Sequence, residues 1–207
     1  QECINAQNEF DALVKEAGFQ QQMKQFIEAT ASYDKALQLA SRQGSCGMDL
    51  HSASEGKSQI SLPTAYQHLM VQSEAEINGN ESKRAIDTYN QAGDLAAREN
   101  LAQRFGLTHS PLHEYILESG HLGFTLFGSQ HLLEKKQYDE AVELLHKVVQ
   151  MGASKTSVKE LMKRLGTELA LRDQEAAPLS NPKVKILEYT RGNKNFRSLS
   201  KAYLKAR

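Results

Sequence analysis

The sequence predicts an all-α fold of antiparallel helix pairs stacked as repeats, and three observations carry that prediction. The first is recurrence. Ala29-x3-Tyr33-x2-Ala36, Ala85-x3-Tyr89-x2-Ala92 and Ala141-x3-Leu145-x2-Val148 begin 56 residues apart each time. Positions i, i+4 and i+7 share one stripe of a helix, so each stretch turns small, large and small residues toward a neighbour. The small residues let a second helix approach, and the large one fills the space between. The second observation is composition: Ala, Leu, Glu, Lys and Gln are abundant while Val, Ile and Thr are sparse, which favours helix over strand. The third is the fixed period itself, the mark of chains whose units are too small to bury their own faces.

Each element follows from local pattern. Ile4, Phe10, Leu13, Val14 and Ala17 form a helical stripe over residues 2–21, and a second helix runs from about 24 to 43. Gly44 ends it, and residues 44–61, rich in Gly and Ser and without periodicity, read as a long loop. Leu62-Pro63-Thr64 restarts helix to about 78, because Pro is tolerated in a first turn. Asn78-Gly79-Asn80 reverses the chain into a helix over 82–105, stopped by Gly106. Ser110-Pro111 opens a helix over 111–136 that contains Gly120, Gly123 and Gly128; its partner covers 138–151 and closes at Gly152. An amphipathic helix over 157–172 follows. Ala176 to Pro182 breaks it, and shorter helices are expected over 183–190 and 194–206. Four helix pairs result, over about 2–43, 63–105, 111–151 and 157–206, within a single domain spanning 1–207.

On these motifs the chain resembles the tetratricopeptide repeat (TPR) family. Tyr138-Asp139-Glu140-Ala141, Tyr33-Asp34-Lys35-Ala36-Leu37 and Ala85-Ile86-x2-Tyr89 are similar to that family's second helix. Met162-x2-Leu165-Gly166-x2-Leu169 looks like its first. Together these motifs cover most of residues 10–175. The interval of 56 exceeds the family's 34, so the excess must sit in longer helices and inserted loops. The resemblance implies a short right-handed superhelix, an α-solenoid, whose concave groove is lined by the first helix of each pair: residues 4–20, 63–78, 112–135 and 157–172. It further implies a non-catalytic scaffold that binds a peptide or a partner protein there, with no cofactor. The groove candidates are Gln67, Gln72, His113, His121, Gln130 and His131.

The residues offer less to other chemistry. Gly56-Lys57-Ser58 is similar to the end of a phosphate-binding loop, but His51 stands where the pattern needs Gly and no strand precedes it. Five of the seven His (109, 113, 121, 131 and 146) fall between residues 109 and 146, and His109, just before the helix that Pro111 opens, could approach His113. A zinc-dependent hydrolase or metal-binding protein is therefore the alternative, although HExxH is missing and His113-Glu114 is followed by Leu117 where the second His would stand. No Gly-x-Ser-x-Gly elbow occurs. An interaction domain of a larger enzyme is the other alternative.

Charge is polarised. Residues 1–180 carry 17 Lys and Arg against 24 Asp and Glu, whereas residues 181–207 carry eight basic residues against Glu188 alone. The basic segment holds Tyr189, Phe196 and Tyr203, a mixture that can bind nucleic acid, but the spacing of Phe196, Leu199 and Tyr203 fits a helical apolar stripe better. An acidic protein partner, or an acidic continuation of the chain, is preferred to nucleic acid. No apolar run approaches the roughly 20 residues that span a bilayer. The two cysteines, Cys3 and Cys46, lie at the outer ends of the first helix pair, where a disulfide is geometrically allowed; two unpaired thiols is the alternative. With Gln1 as first residue, a removed secretion signal and an extracytoplasmic compartment (periplasmic, secreted or surface-exposed) are expected, the cytoplasm being the alternative.

Overall fold

A computed structural model describes residues 1–43 and 46–176. Among them are ten α-helices and no β-strand. In chain order they are α1 (Glu2–Gln22), α2 (Phe26–Gln43), α3 (Leu50–Gln59), α4 (Ser61–Asn78), α5 (Ser82–Arg98), α6 (Leu101–Phe105), α7 (Leu112–Ser119), α8 (Leu122–Glu134), α9 (Tyr138–Gln150) and α10 (Lys155–Ala176). The helices expected over 183–190 and 194–206, the basic segment and the Gly44 stop lie outside the described residues. The chain divides into two compact units. One comprises Gln1–Glu76 and Arg84–His109; the other comprises Ile77–Lys83 and the described residues from Ser110 on.

The recurring stripes are buried as their spacing requires. Ala29, Ala36, Ala85, Ala92, Ala141 and Val148 are all 0% exposed, and Tyr33, Tyr89 and Leu145 are buried between them. The 56-residue period extends well beyond those stripes. Lys24, Asn80 and Lys136 sit at the same interval, and each adopts a left-handed backbone with φ of 59°, 59° and 62°. Each donates its N–H to the carbonyl three residues back, on Gln21, Ile77 and Leu133, at 3.0, 3.0 and 3.1 Å. In the first and third hairpins the next N–H reaches back five residues, from Gln25 to Gln20 and from Gln137 to Leu132, which completes a Schellman ending. The repeated unit is thus a whole helical hairpin, turn included.

The period also reaches the seam between the two helices. In the first hairpin Ser32 of α2 donates to Oε1 of Gln20 of α1 at 2.9 Å. In the second, Thr88 of α5 donates to Oε2 of Glu76 of α4 at 2.7 Å, and Gln72 and Arg84 also lie on that buried carboxylate. In the third hairpin the same two positions hold Leu132 and Leu144, 1% and 0% exposed. A polar pair in two hairpins is an apolar pair in the third.

In the first unit, α1 packs along α2 and α3 packs against α2. Phe10, Phe26, Tyr33, Met48 and Ile60 fill the core there. Tyr66, Ala92, Ala96 and Leu101 form a second cluster, and Phe105 and Leu107 pack against both. In the second unit α8 packs on α9, α7 touches both, and α10 packs on α9.

Three expectations are corrected. Residues 44–61 are not all loop, because α3 occupies Leu50–Gln59, capped where the Asp49 carboxylate accepts from the Ser52 N–H at 3.1 Å. Its buried contact is made by small residues: Ala53 is fully buried, and a Cβ on Gly56 would lie 2.6 Å from the Tyr33 hydroxyl. The helix expected over 82–105 breaks at left-handed Asn100 into α5 and α6. The helix expected over 111–136 breaks at Gly120, whose φ of 66° ends α7, so α8 starts afresh at Leu122. Of the three glycines there, Gly128 is the one that admits a close neighbour, with Ile116 against it.

Candidate functional site

Cys3 and Cys46 are joined, with their Cα atoms 5.4 Å apart. The bridge closes the open end of the first hairpin, where α1 starts and α2 has just finished. A depression of about 450 Å³ lies beside it, lined by Glu2, Asn5, Glu9 and Gln43 together with both cysteines.

Of the expected groove residues, Gln67 and Gln72 lie on α4, His113 on α7, His121 at the N-cap of α8, and Gln130 and His131 on α8. Gln67 is committed to the first hairpin. Its Oε1 accepts from the N–H groups of Phe26 and Ile27 at 2.8 and 3.2 Å, and its Nε2 donates to the Lys24 carbonyl at 2.6 Å. The two N–H groups are free donors at the start of α2 and the carbonyl belongs to the turn before it, so Gln67 acts as a cap supplied from 41 residues away. Thr64 works beside it, its single hydroxyl proton within reach of the carbonyls of Ile60 at 2.7 Å and Phe26 at 3.1 Å. Gln72 is exposed and donates to Glu76, while Gln130 is half-buried and donates to Glu134 at 3.1 Å. His121 is exposed and its carbonyl accepts from the N–H and hydroxyl of Thr125; His113 and His131 are half-buried. Among the described residues no group of three or more His, Cys, Asp or Glu converges as a metal would need.

The histidine with the most defined surroundings is His109. Its ring stacks at a tilt on Tyr89, centroids 4.2 Å apart, and meets Tyr66 edge-on at 6.0 Å. The Tyr66 hydroxyl lies 3.3 Å from Nδ1 and 3.4 Å from the Thr108 carbonyl. It can donate to Nδ1, or donate to Thr108 while accepting from an Nδ1 proton. On the remaining side the ring lies over Gly93, where a Cβ would approach Nε2 to 2.6 Å. Gly93 therefore makes the slot. The sequence directed His109 toward His113; the overlooked signal was a glycine inside α5, one turn from Tyr89. Burial holds the imidazole below its ordinary pKa of 6.5, only partly offset by the carboxylate of Asp94, and burial raises Tyr66.

Because a base with a lowered folded-state pKa binds its proton more readily when unfolded, this group stabilises fully above 6.5. That stabilisation is lost as pH falls below that value. Denaturant midpoints taken from about pH 7.5 to about pH 5 are expected to fall more for the native chain than for His109→Gln, over the range where histidine titrates. Equal slopes would remove His109 from the pH response.

No protein-family model matches the chain, and no curated protein or solved structure matches it. Its class rests on its own geometry: an all-helical protein with paired antiparallel helices, in which no described helix is long and apolar enough to cross a membrane.

Proposed function

We propose that this protein is a non-catalytic, TPR-like helical-repeat scaffold that receives a peptide or partner protein against the first helices of its hairpins. The observation that carries the reading is recurrence of a complete hairpin every 56 residues, in its small-residue stripes and left-handed turns alike. Repeating one unit sets equivalent helix faces in series, and such series recognise extended ligands through many modest contacts instead of one reactive group. The Cys3–Cys46 bridge supports an oxidising, extracytoplasmic place of work.

The test is affinity capture from the native extracytoplasmic fraction with two baits. One is the native chain; the other combines Gln72→Lys, His113→Glu, His121→Glu and Gln130→Lys. Gln67 is left unchanged, because its amide holds the start of α2. A partner retained by the native chain and lost by the variant, with helical content equal in both baits, is expected. Recovery of the same proteins by both would show that these helix faces are not the binding surface.

A further inference from the structure

We propose that Asn78–Gly79 is a site of spontaneous succinimide chemistry, where the chain loses ammonia and acquires an aspartyl or isoaspartyl residue between α4 and α5. It is the sole Asn-Gly step in the sequence, and both residues are exposed. The first and third hairpins act as internal controls. They build the same turn with Gln22-Met23 and Glu134-Lys135 in these two places. Met23 and Lys135 have ordinary φ values of −78° and −81°, and Gly79 is not among the residues of positive φ. The backbone of the turn therefore requires neither Asn at 78 nor Gly at 79. Asn80 differs, since it fills the left-handed position that asparagine tolerates well.

What this pair does supply is reactivity. The Gly79 amide nitrogen bonds to Cγ of Asn78, the Cγ–Nδ2 bond breaks, and Nδ2 leaves as ammonia with the proton released by the Gly79 nitrogen. Water then opens the five-membered imide. Attack at Cγ gives aspartate; attack at the main-chain carbonyl carbon gives isoaspartate, with the chain running through Cβ and Cγ. Gly79 has no Cβ to crowd the attacking nitrogen. Asn78 is the last residue of α4, and helix ends fray, so the rotation that attack requires is confined to a final turn.

Either product acts on the hairpin. A new carboxylate at the C-terminal end of α4 meets the negative end of the helix dipole. It also stands two residues from Glu76, already a buried carboxylate. Isoaspartate adds a main-chain carbon inside a turn closed by the Asn80 N–H on the Ile77 carbonyl. Beyond that turn lie the bonds joining α4 to α5, Ser73 to the Ala85 carbonyl and Thr88 to Glu76. The site is thus a chemical timer that loosens one hairpin and leaves its two counterparts intact.

The experiment ages the purified, disulfide-bonded full chain in mildly alkaline buffer. At each time the peptide spanning residues 78 and 79 is analysed by mass spectrometry, with isoaspartate resolved from aspartate, and Tm is recorded. Asn78→Gln, which installs the residue of the first hairpin, and Gly79→Ala are aged in parallel. The expected result is accumulation of the modified peptide in the native chain with a falling Tm, and neither change in the two variants. An unmodified native peptide under conditions that modify the urea-unfolded chain would overturn the site. Modification without loss of Tm would overturn its effect on the hairpin.

Discussion

Replacing both Cys3 and Cys46 with Ser will lower the unfolding free energy by about 4 kcal/mol, the chain-entropy value for a loop of this length. The bridge spans a separation of 43 residues. That loop contains all of α2 and all of α1 but its first residue, so the unfolded ensemble loses much of its freedom when the ends are tied. The native hairpin gains little else from the bond, because its long seam is already packed by Ala6, Phe10, Ala17, Phe26, Ala29, Tyr33, Ala36 and Ala40. Reductant should reproduce the effect in the native chain and leave the double variant unmoved. Chemical denaturation with and without reductant checks this, and equal midpoints would show that the bridge adds nothing to the folded state.

The second large effect concerns the seam of the third hairpin. Leu132→Glu places a carboxylate where a side chain is 1% exposed and the matching seam position holds apolar Leu144. An uncompensated buried charge costs about 3–5 kcal/mol. Adding Leu144→Thr supplies one of the partners that the second hairpin gives its carboxylate, the Thr88 hydroxyl on Glu76, while Gly128 and Glu140 stand where Gln72 and Arg84 supply the others. A hydrogen bond to a charged group is worth about 1.5–3 kcal/mol, so the double variant should lose less stability than the sum of the two single losses. A double-mutant cycle on the denaturation midpoints measures that coupling. If the two substitutions simply add, the second and third hairpins are not equivalent at this position.

Much of the fold was legible because small residues at helical spacing have few uses except to let a neighbouring helix come close. Ala29, Ala85 and Ala141 announced their burial through what surrounds them at i+4 and i+7. The turns were legible only in part. Asn78-Gly79-Asn80 reads as a reversal, whereas Lys24 and Lys136 take the same left-handed backbone with a residue that carries no such signal. α3 was hidden for a related reason: its packing residues are Ala and Gly, in a stretch whose serines resemble a loop. Breaks at Asn100 and Gly120 were lost within strong apolar periodicity that continues on both sides.

Candidate sites were less legible, because polar side chains on a first helix look alike until their partners are known. Gln67 resembled a groove residue, yet its amide is occupied by backbone 40 to 43 residues away, which no local pattern encodes. His109 was visible as a histidine, but its aromatic slot needs Tyr66, Tyr89 and Gly93 from two helices, while His109 itself lies between α6 and α7. The disulfide was the exception. Only two cysteines were available, and antiparallel pairing brought their ends together.

The seam pairs Gln20–Ser32 and Glu76–Thr88 each join residues 12 apart, across a turn that closes itself. Contacts this near in sequence form after very little search, and the entropy of closing so short a segment is small. Each hairpin can accordingly nucleate alone while neighbouring segments are still unordered. The covalent tie between Cys3 and Cys46 then locks in an ordering that the first hairpin had already begun.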